Sequence, residues 1–292
     1  MWSAWEPSDP NSWGSPTFAW RVVALLSASV SGGIVAKVVA SLEEGVLLLR
    51  LNRPEARNAL DEEMVASLTS HLERAGVDPE VRGVILTGSG QAFCAGADLA
   101  RFQEEADPRR FRWESRRLSH LVHLLEAVEK PVVVAVNGLA TGVGLALVLA
   151  ADLRVASQGA RLLFREGRIG LLPSHGGVAR LVRYVGLGRA RDLLLGGKEL
   201  GAEEALAFGL LTEVVPPESL LDAARGYLER AWERAPLSYG LVKRLLVLST
   251  SVDLESALFL ETLGQSGLVA TEDHKEGLSA LREKRKPVFR GR

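Results

Sequence analysis

From residue 35 to about Pro173, short apolar runs alternate with amphipathic stretches, and glycines mark the junctions between them. VAKVVAS and GVLLLRLN flank the acidic turn Glu43-Glu44-Gly45 and predict a hairpin or an adjacent strand pair. ALDEEMVASLTSHLERAG predicts a helix with Asp61 as N-cap, Met64, Leu68 and Leu72 on one face, and Gly76 as its stop. VRGVILTG and PVVVAVNG predict buried strands, RFRWESRRLSHLVHLLEAVEK a long amphipathic helix, and DLRVAS and ARLLF two shorter strands. Such alternation implies an α/β fold with mainly parallel strands and right-handed crossovers. Beyond Pro173 the pattern turns helical: GGVARLVRYVG, GRARDLLLGG, GAEEALAFGL, PESLLDAARGYLERAWERA, PLSYGLVKRLLVLST and the stretch from DLESALFLE to the basic tail. Only LLTEVV interrupts as a strand. A helix-rich end of this kind either packs on its own core or forms a subunit interface.

The first residues differ from the rest. MWSAWEPSDPNSWGSPTFAW holds four of the six tryptophans and three of the twelve prolines with no apolar period, and reads as an extension, disordered or loosely docked. RVVALLSASVSGG after it is short for a membrane span and starts late for a secretory signal. The organisation expected is an extension over 1–34, a core over 35–230 and a helical C-terminal region over 231–292. A net charge of −1 offers no general attraction to nucleic acid or to an anionic membrane, so neither is an expected partner. The single cysteine, Cys94, excludes an intrachain disulfide and a cysteine-rich metal site, and reads as a small buried side chain. Cytoplasmic location is expected, or mitochondrial if the source is eukaryotic.

Two glycine-rich turns carry the chemistry. NGLATGVGLALVLAAD has no charge until Asp152 and runs from a strand into an apolar helix; LTGSGQAFCAGADLA places Ala95-Gly96-Ala97 ahead of Asp98, an expected cap of a following helix. Each is a tight strand-to-helix connection. Following successive buried strands, the two fall side by side at one sheet edge, where converging backbone N–H groups would form an oxyanion hole.

LNRPEARNAL (51–60), AFCAGADL (92–99), PVVVAVNGLATGVGLAL (131–147), FREGRIGLLPSHGG (164–177) and EGLSALREKRKPVF (276–289) together resemble the crotonase, or enoyl-CoA hydratase/isomerase, superfamily, in order from about residue 36 to 290. The resemblance implies a spiral of ββα units followed by a helical trimerisation region, a homotrimer or hexamer, and an acyl-CoA thioester as substrate. No cofactor or metal is implied, coenzyme A being part of the substrate. The thioester carbonyl would sit between the N–H groups of Ala97 and Val143.

Of the two glutamates used by the family's hydratases, the first falls on Ala146 and the second on Glu166. One carboxylate therefore remains, and an apolar acyl pocket would raise its pKa. Ser174 stands where some relatives carry an aspartate, and His175 beside it is a possible auxiliary acid or base titrating near neutrality, or else a helix cap or loop hydrogen-bonder. Coenzyme A contacts implied by the resemblance are Arg53, Ala56, Arg57, Ala95, Arg101 and Lys284, with Glu55 replacing a lysine common in hydratases. The leading expectation is enoyl-CoA isomerisation through a thioester enolate, with Glu166 moving the proton. Hydration by Glu166 with Ser174 or His175 is the alternative, followed by an acyl-CoA decarboxylase or hydrolase, or a non-catalytic CoA-thioester binder.

Overall fold

The computed structural model describes residues 36–98 and 107–292. The N-terminal extension, Arg101 and the segment beyond Asp98 lie outside the described residues.

The chain opens with an antiparallel hairpin, β1 (Val38–Glu43) and β2 (Val46–Leu51). Helix α1 (Glu62–Val77) follows, its first turn capped by the Asp61 carboxylate, which accepts from Met64 N–H at 2.9 Å. Gly76 does not stop it; the helix runs one residue further and Asp78 closes it.

Three repeats of one pattern come next. In each, a longer strand enters a large sheet, a three-residue strand turns out of it into a second sheet, and the chain then leads toward a helix. These are β3 (Gly83–Gly88), β4 (Ala92–Cys94) and α2 (Pro108–Ala127); β5 (Val132–Val136), β6 (Leu139–Thr141) and α3 (Val143–Ala150); and β7 (Leu153–Ser157), β8 (Arg161–Leu163) and α4 (Gly177–Leu194). β9 (Leu200–Gly201), α5 (Ala202–Ala207), β10 (Glu213–Val215) and α6 (Leu220–Ala231) complete the layered part, and α7 (Pro236–Leu248), α8 (Leu254–Leu268) and α9 (Glu272–Glu283) follow. The large sheet has the order β1-β2-β3-β5-β7-β10 and the small one β4-β6-β8-β9. All neighbours are parallel except β1 with β2 and β8 with β9. This is the α/β spiral of ββα units with a helical C-terminal region.

Burial explains the layers. Every residue of β3, β5 and α3 is buried, as their uninterrupted apolar sequences require. The main core lies between the two sheets and helices α1 to α4, while α6 covers the other face of the large sheet by setting Leu220, Ala224 and Leu228 on Val46, Ile85, Val133, Ala135 and Val155. The two helices expected over 176–197 form one element kinked at Gly186, whose φ of 72° and ψ of 166° leave the helical region. Asp152 accepts from Val132 N–H at 2.8 Å and pairs at 2.9 Å with Lys243, which also donates to the carbonyls of Leu125 and Lys130. Through that buried pair α7 is fastened to the core. Among the described residues no helix is long and apolar enough to cross a membrane.

Candidate active site

The expected turns do not leave β3 and β5 directly. They leave the short strands β4 and β6, whose parallel pairing sets them side by side. Two buried or half-buried asparagines hold the step from one sheet to the other. Asn58 donates to the carbonyls of Ser89 and Ala92 at 2.9 and 2.8 Å and accepts from Arg53 N–H at 2.9 Å. Asn137 accepts from Gly88 N–H at 3.0 Å and donates to the carbonyls of Gly90 and Ala92. Sequence reasoning passed over both, since an asparagine beside a glycine or in a proline-containing loop reads as turn chemistry.

The 53–60 loop braces the first turn. Ala95 N–H donates to Arg57 O at 3.0 Å, Leu60 N–H to Gly96 O at 2.8 Å, and Asp98 N–H to Leu60 O at 3.0 Å. Because the Gly96 carbonyl and the Asp98 N–H both face Leu60, the alternation of an extended backbone turns the N–H of Ala97 the other way. In the second turn Gly142, with φ 58° and ψ −133°, precedes Val143, the first residue of α3. A first-turn N–H has no partner within its helix and sits at the positive end of the helix dipole. A Cβ placed on Gly96, where φ is 104°, would lie 3.3 Å from Thr141 O and 3.7 Å from Val143 N. The two turns are therefore in backbone contact, and glycine is what permits it.

Glu166 comes to the same place from β8. It opens a short 3₁₀ turn, and a Cβ placed on Gly142 would lie 3.9 Å from its Oε1. Its Oε2 is buried and has no hydrogen-bond partner among the described residues. Burial raises the Glu166 pKa above the ordinary carboxylate value, offset in part by the backbone N–H groups of Glu166 and Arg165. The nearby cations do not neutralise it: Arg165 and Arg168 turn instead toward Glu199, at 3.0 and 4.0 Å. Ala146 lies one turn into α3, is buried, and offers only a methyl group. The small sheet thus sets two turn N–H groups and one carboxyl of raised pKa along one edge, which suits proton transfer next to a developing oxyanion.

The family model described as Enoyl-CoA hydratase/isomerase matches residues 41–292. The chain belongs to the enoyl-CoA hydratase/isomerase, or crotonase, family. It is 37% identical over 255 residues to the (E)-benzylidenesuccinyl-CoA hydratase of Thauera aromatica, covering 87% of this chain and 99% of that one. It is 36% identical over 264 residues to the 2,3-dehydroadipyl-CoA hydratase of Escherichia coli (strain K12), covering 88% and 100%. The crystal structure of an enoyl-CoA hydratase from Bacillus anthracis superimposes with a TM-score of 0.83 at 33% identity, covering 88% of this chain and 100% of that one. The protein is an acyl-CoA-processing enzyme of the enoyl-CoA hydratase/isomerase type.

Other family positions fall in different settings. Ala56 and Arg57 lie in the loop that grips Ala95, and Arg57 is exposed. Arg53 is drawn inward, 2.5 Å from Asp98 and 3.8 Å from both Asp61 and Glu55, so its charge is already answered by carboxylates. Lys284 ends α9 in a left-handed conformation, and its side chain makes no hydrogen bond or ion pair among the described residues. Ser174 is exposed. His175 neither caps α4, whose N-cap is Gly176, nor titrates near neutrality: its Nδ1 lies 3.0 Å from Ser119 Oγ of α2, and desolvation pushes its pKa down to about 4. Cys94 is buried, and its thiol is pushed up to about 12 by burial, as a packing side chain rather than a nucleophile.

Proposed function

We propose that the enzyme isomerises 3-enoyl-CoA thioesters to their 2-enoyl isomers. The thioester oxygen lies between the N–H groups of Ala97 and Val143. The Glu166 carboxylate removes a proton from Cα, the charge moves onto the thioester oxygen, and the same carboxyl returns the proton at Cγ as the double bond shifts to Cα–Cβ. The observation that carries this reading is the half-buried carboxyl beside Gly142, the one that the described residues bring there, with a methyl group at Ala146 where a second acid would be needed to handle water. One group that accepts and returns one proton is sufficient for an isomerase.

Hydration is the second reading, favoured by the names of the two relatives. In it Glu166 activates water with the hydroxyl of Ser174 or the neutral ring of His175 as a hydrogen-bonding partner. Coenzyme A is held by Arg57, Arg101 and Lys284, with Ala56 and Ala95 at its backbone contacts, and Arg53 acts through the loop it braces. Assembly as a trimer or hexamer is part of the proposal. Assay of matched 3-enoyl- and 2-enoyl-CoA thioesters, with double-bond migration and hydration followed separately, tests it; a wild type that only hydrates removes the isomerase reading.

A further inference from the structure

The small sheet continues past Glu166. β9 runs antiparallel to β8 with Leu162 opposite Leu200, and the same register carried one step further sets Glu199 opposite Leu163, where β8 ends and the chain turns toward Glu166. The Glu199 carboxylate collects cations there: Arg161 and Arg165 pair with it, the latter at 3.0 Å, and Arg168 stands 4.0 Å away. Arg161 lies opposite Gly201 within the β8–β9 ladder, so its pair alone ties the two strands. Arg165 and Arg168 lie beyond the ladder, on either side of Glu166 in the chain, and their approach to Glu199 needs another account.

Arg165 is only partly satisfied by Glu199. Its Nη2 donates to that carboxylate, while its Nε is buried and has no acceptor among the described residues. The next residue is the complement, for Glu166 Oε2 is buried and has no donor among them. A buried donor and a buried acceptor, neighbours in sequence, thus remain unbonded, an arrangement that costs free energy and that a guanidinium free to turn would relieve. Glu199 holds it from turning. Arg165 and Arg161 keep the Glu199 carboxyl below the ordinary carboxylate value, so it is ionised throughout the range in which Glu166, raised by burial, titrates.

The other charges around this edge are answered elsewhere. Lys198 pairs with Glu204 of α5 at 2.6 Å, Arg180 of α4 with Glu126 of α2 at 2.5 Å, and Arg53 with Asp98 of the first turn at 2.5 Å. The ring of His175 is neutral above about pH 4, and β4, β6 and α3 carry no ionisable side chain other than the Cys94 thiol. That leaves Arg165 and Arg168 as the cations that Glu199 keeps from Glu166.

We propose that Glu199 is a positioning residue for Glu166: it holds the guanidinium groups of Arg165 and Arg168 on its own carboxylate and so keeps the Glu166 carboxyl without an ion-pair partner. This rests on Glu166 as the base of the proposed reaction. A carboxylate bound by an arginine fork is a weaker base, since the pair favours its charged form.

Glu199→Gln removes the charge and keeps the shape. Titration of Glu166 is read directly, without substrate, by carbon-13 NMR of protein labelled at its glutamate carboxyls, the Glu166 signal being the one missing in Glu166→Gln. Its midpoint is expected to fall by about one pH unit or more in Glu199→Gln, the effect of a freed cation within ion-pair reach. It should recover in Glu199→Asp, and return to the wild-type value when Glu199→Gln is combined with Arg165→Met and Arg168→Met. In Glu199→Gln alone, kcat near neutral pH falls several-fold with KM little changed, and the acid limb of kcat moves with the midpoint. Should Glu199→Gln not fold, Arg165→Met in protein that keeps Glu199 decides the matter: the midpoint stays close to that of the wild type, because the guanidinium was already held away. An unmoved midpoint in folded Glu199→Gln, with only Tm lowered, is the mark of a structural ion pair and overturns the inference. So does a shift that survives the loss of both arginines, or a rise of a full pH unit in Arg165→Met alone. The contact and the base fail separately. A midpoint that moves while the acid limb of kcat does not keeps the contact and removes Glu166 as the base, whereas an acid limb that coincides with an unmoved midpoint keeps the base and removes the role of Glu199.

Discussion

Gly96 and Gly142 lie back to back, so that a methyl group placed on Gly142 would come within 3.3 Å of the Gly96 Cα. The candidate oxyanion donors sit one residue beyond each, and their separation depends on this contact. Gly142→Ala must also hold alanine at φ 58° and ψ −133°, a region that costs non-glycine residues about 1–3 kcal/mol. Loss of one well-placed donor typically lowers kcat by about 10²- to 10³-fold. A fall of that size in kcat, with a lowered Tm, is expected from steady-state kinetics and thermal unfolding. Unchanged kcat would mean that Val143 N–H is not a donor to the substrate.

Glu166→Gln should abolish turnover and leave CoA-thioester binding within a few-fold, because the amide is nearly isosteric and cannot carry the proton. The pH profile of the wild type tests the same residue. Burial raises the Glu166 pKa, and the carboxylate is the base, so kcat should rise with pH through a limb lying above the ordinary carboxyl value of 4.5. His175→Gln should leave that limb in place, since the ring is already neutral there.

His175 has its own signature in stability. Its folded value of about 4 lies below the ordinary histidine value of 6.5, so between the two the unfolded chain binds more protons. The neutral, half-buried ring contributes stability above pH 6.5 that is lost as the pH falls toward 4. Denaturant unfolding at pH 7 and pH 5 should show a smaller acid loss in His175→Gln than in the wild type.

The alternation of strand and helix, the hairpin at Glu44-Gly45, the Asp61 cap and the two glycine turns were legible because each has a period or a turn residue to announce it. β4, β6 and β9 were not, since two or three residues are too few for any period, and they exist through pairing with neighbours distant in sequence. The side-chain bonds that turn the chain out of the large sheet come from Asn58 and Asn137, whose residue type suggests only a turn. Arg165 and Arg168 flank Glu166 in the sequence. The β8–β9 pairing brings Glu199 to them instead, and among the described residues no cation pairs with the Glu166 carboxyl.

Assembly is argued from what the last helices leave uncovered. Helix α8 buries only Ala257, while Leu254, Phe259 and Leu263 are 74%, 67% and 59% exposed, and Leu246 of α7 is 65% exposed. Apolar surface of this kind is characteristic of a subunit contact. Light scattering should report a trimer or hexamer for the full chain and for a chain beginning at residue 35, and Phe259→Glu should dissociate it. A stable monomer would overturn the proposed assembly.

Ala146→Glu places a carboxylate one turn into α3, beside the amide that opens that helix, and so tests whether a missing base limits hydration. General-base assistance is worth about 10²- to 10⁴-fold, and hydratase activity should rise within that range. Two costs oppose the gain. Ala146 is only 1% exposed, so the larger side chain must displace its neighbours, and a second carboxyl near Glu166 raises the pKa of one or both. The like-charge effect moves the acid limb of the pH profile upward, which distinguishes a new base working in the site from a side chain that has been expelled from it. Isomerisation and hydration should be measured on matched acyl chains in wild type and variant, together with Tm. A wild type that already hydrates efficiently, unimproved by Ala146→Glu and with its acid limb unmoved, would mean that one carboxyl suffices and that the methyl at this position does not decide which reaction the enzyme performs.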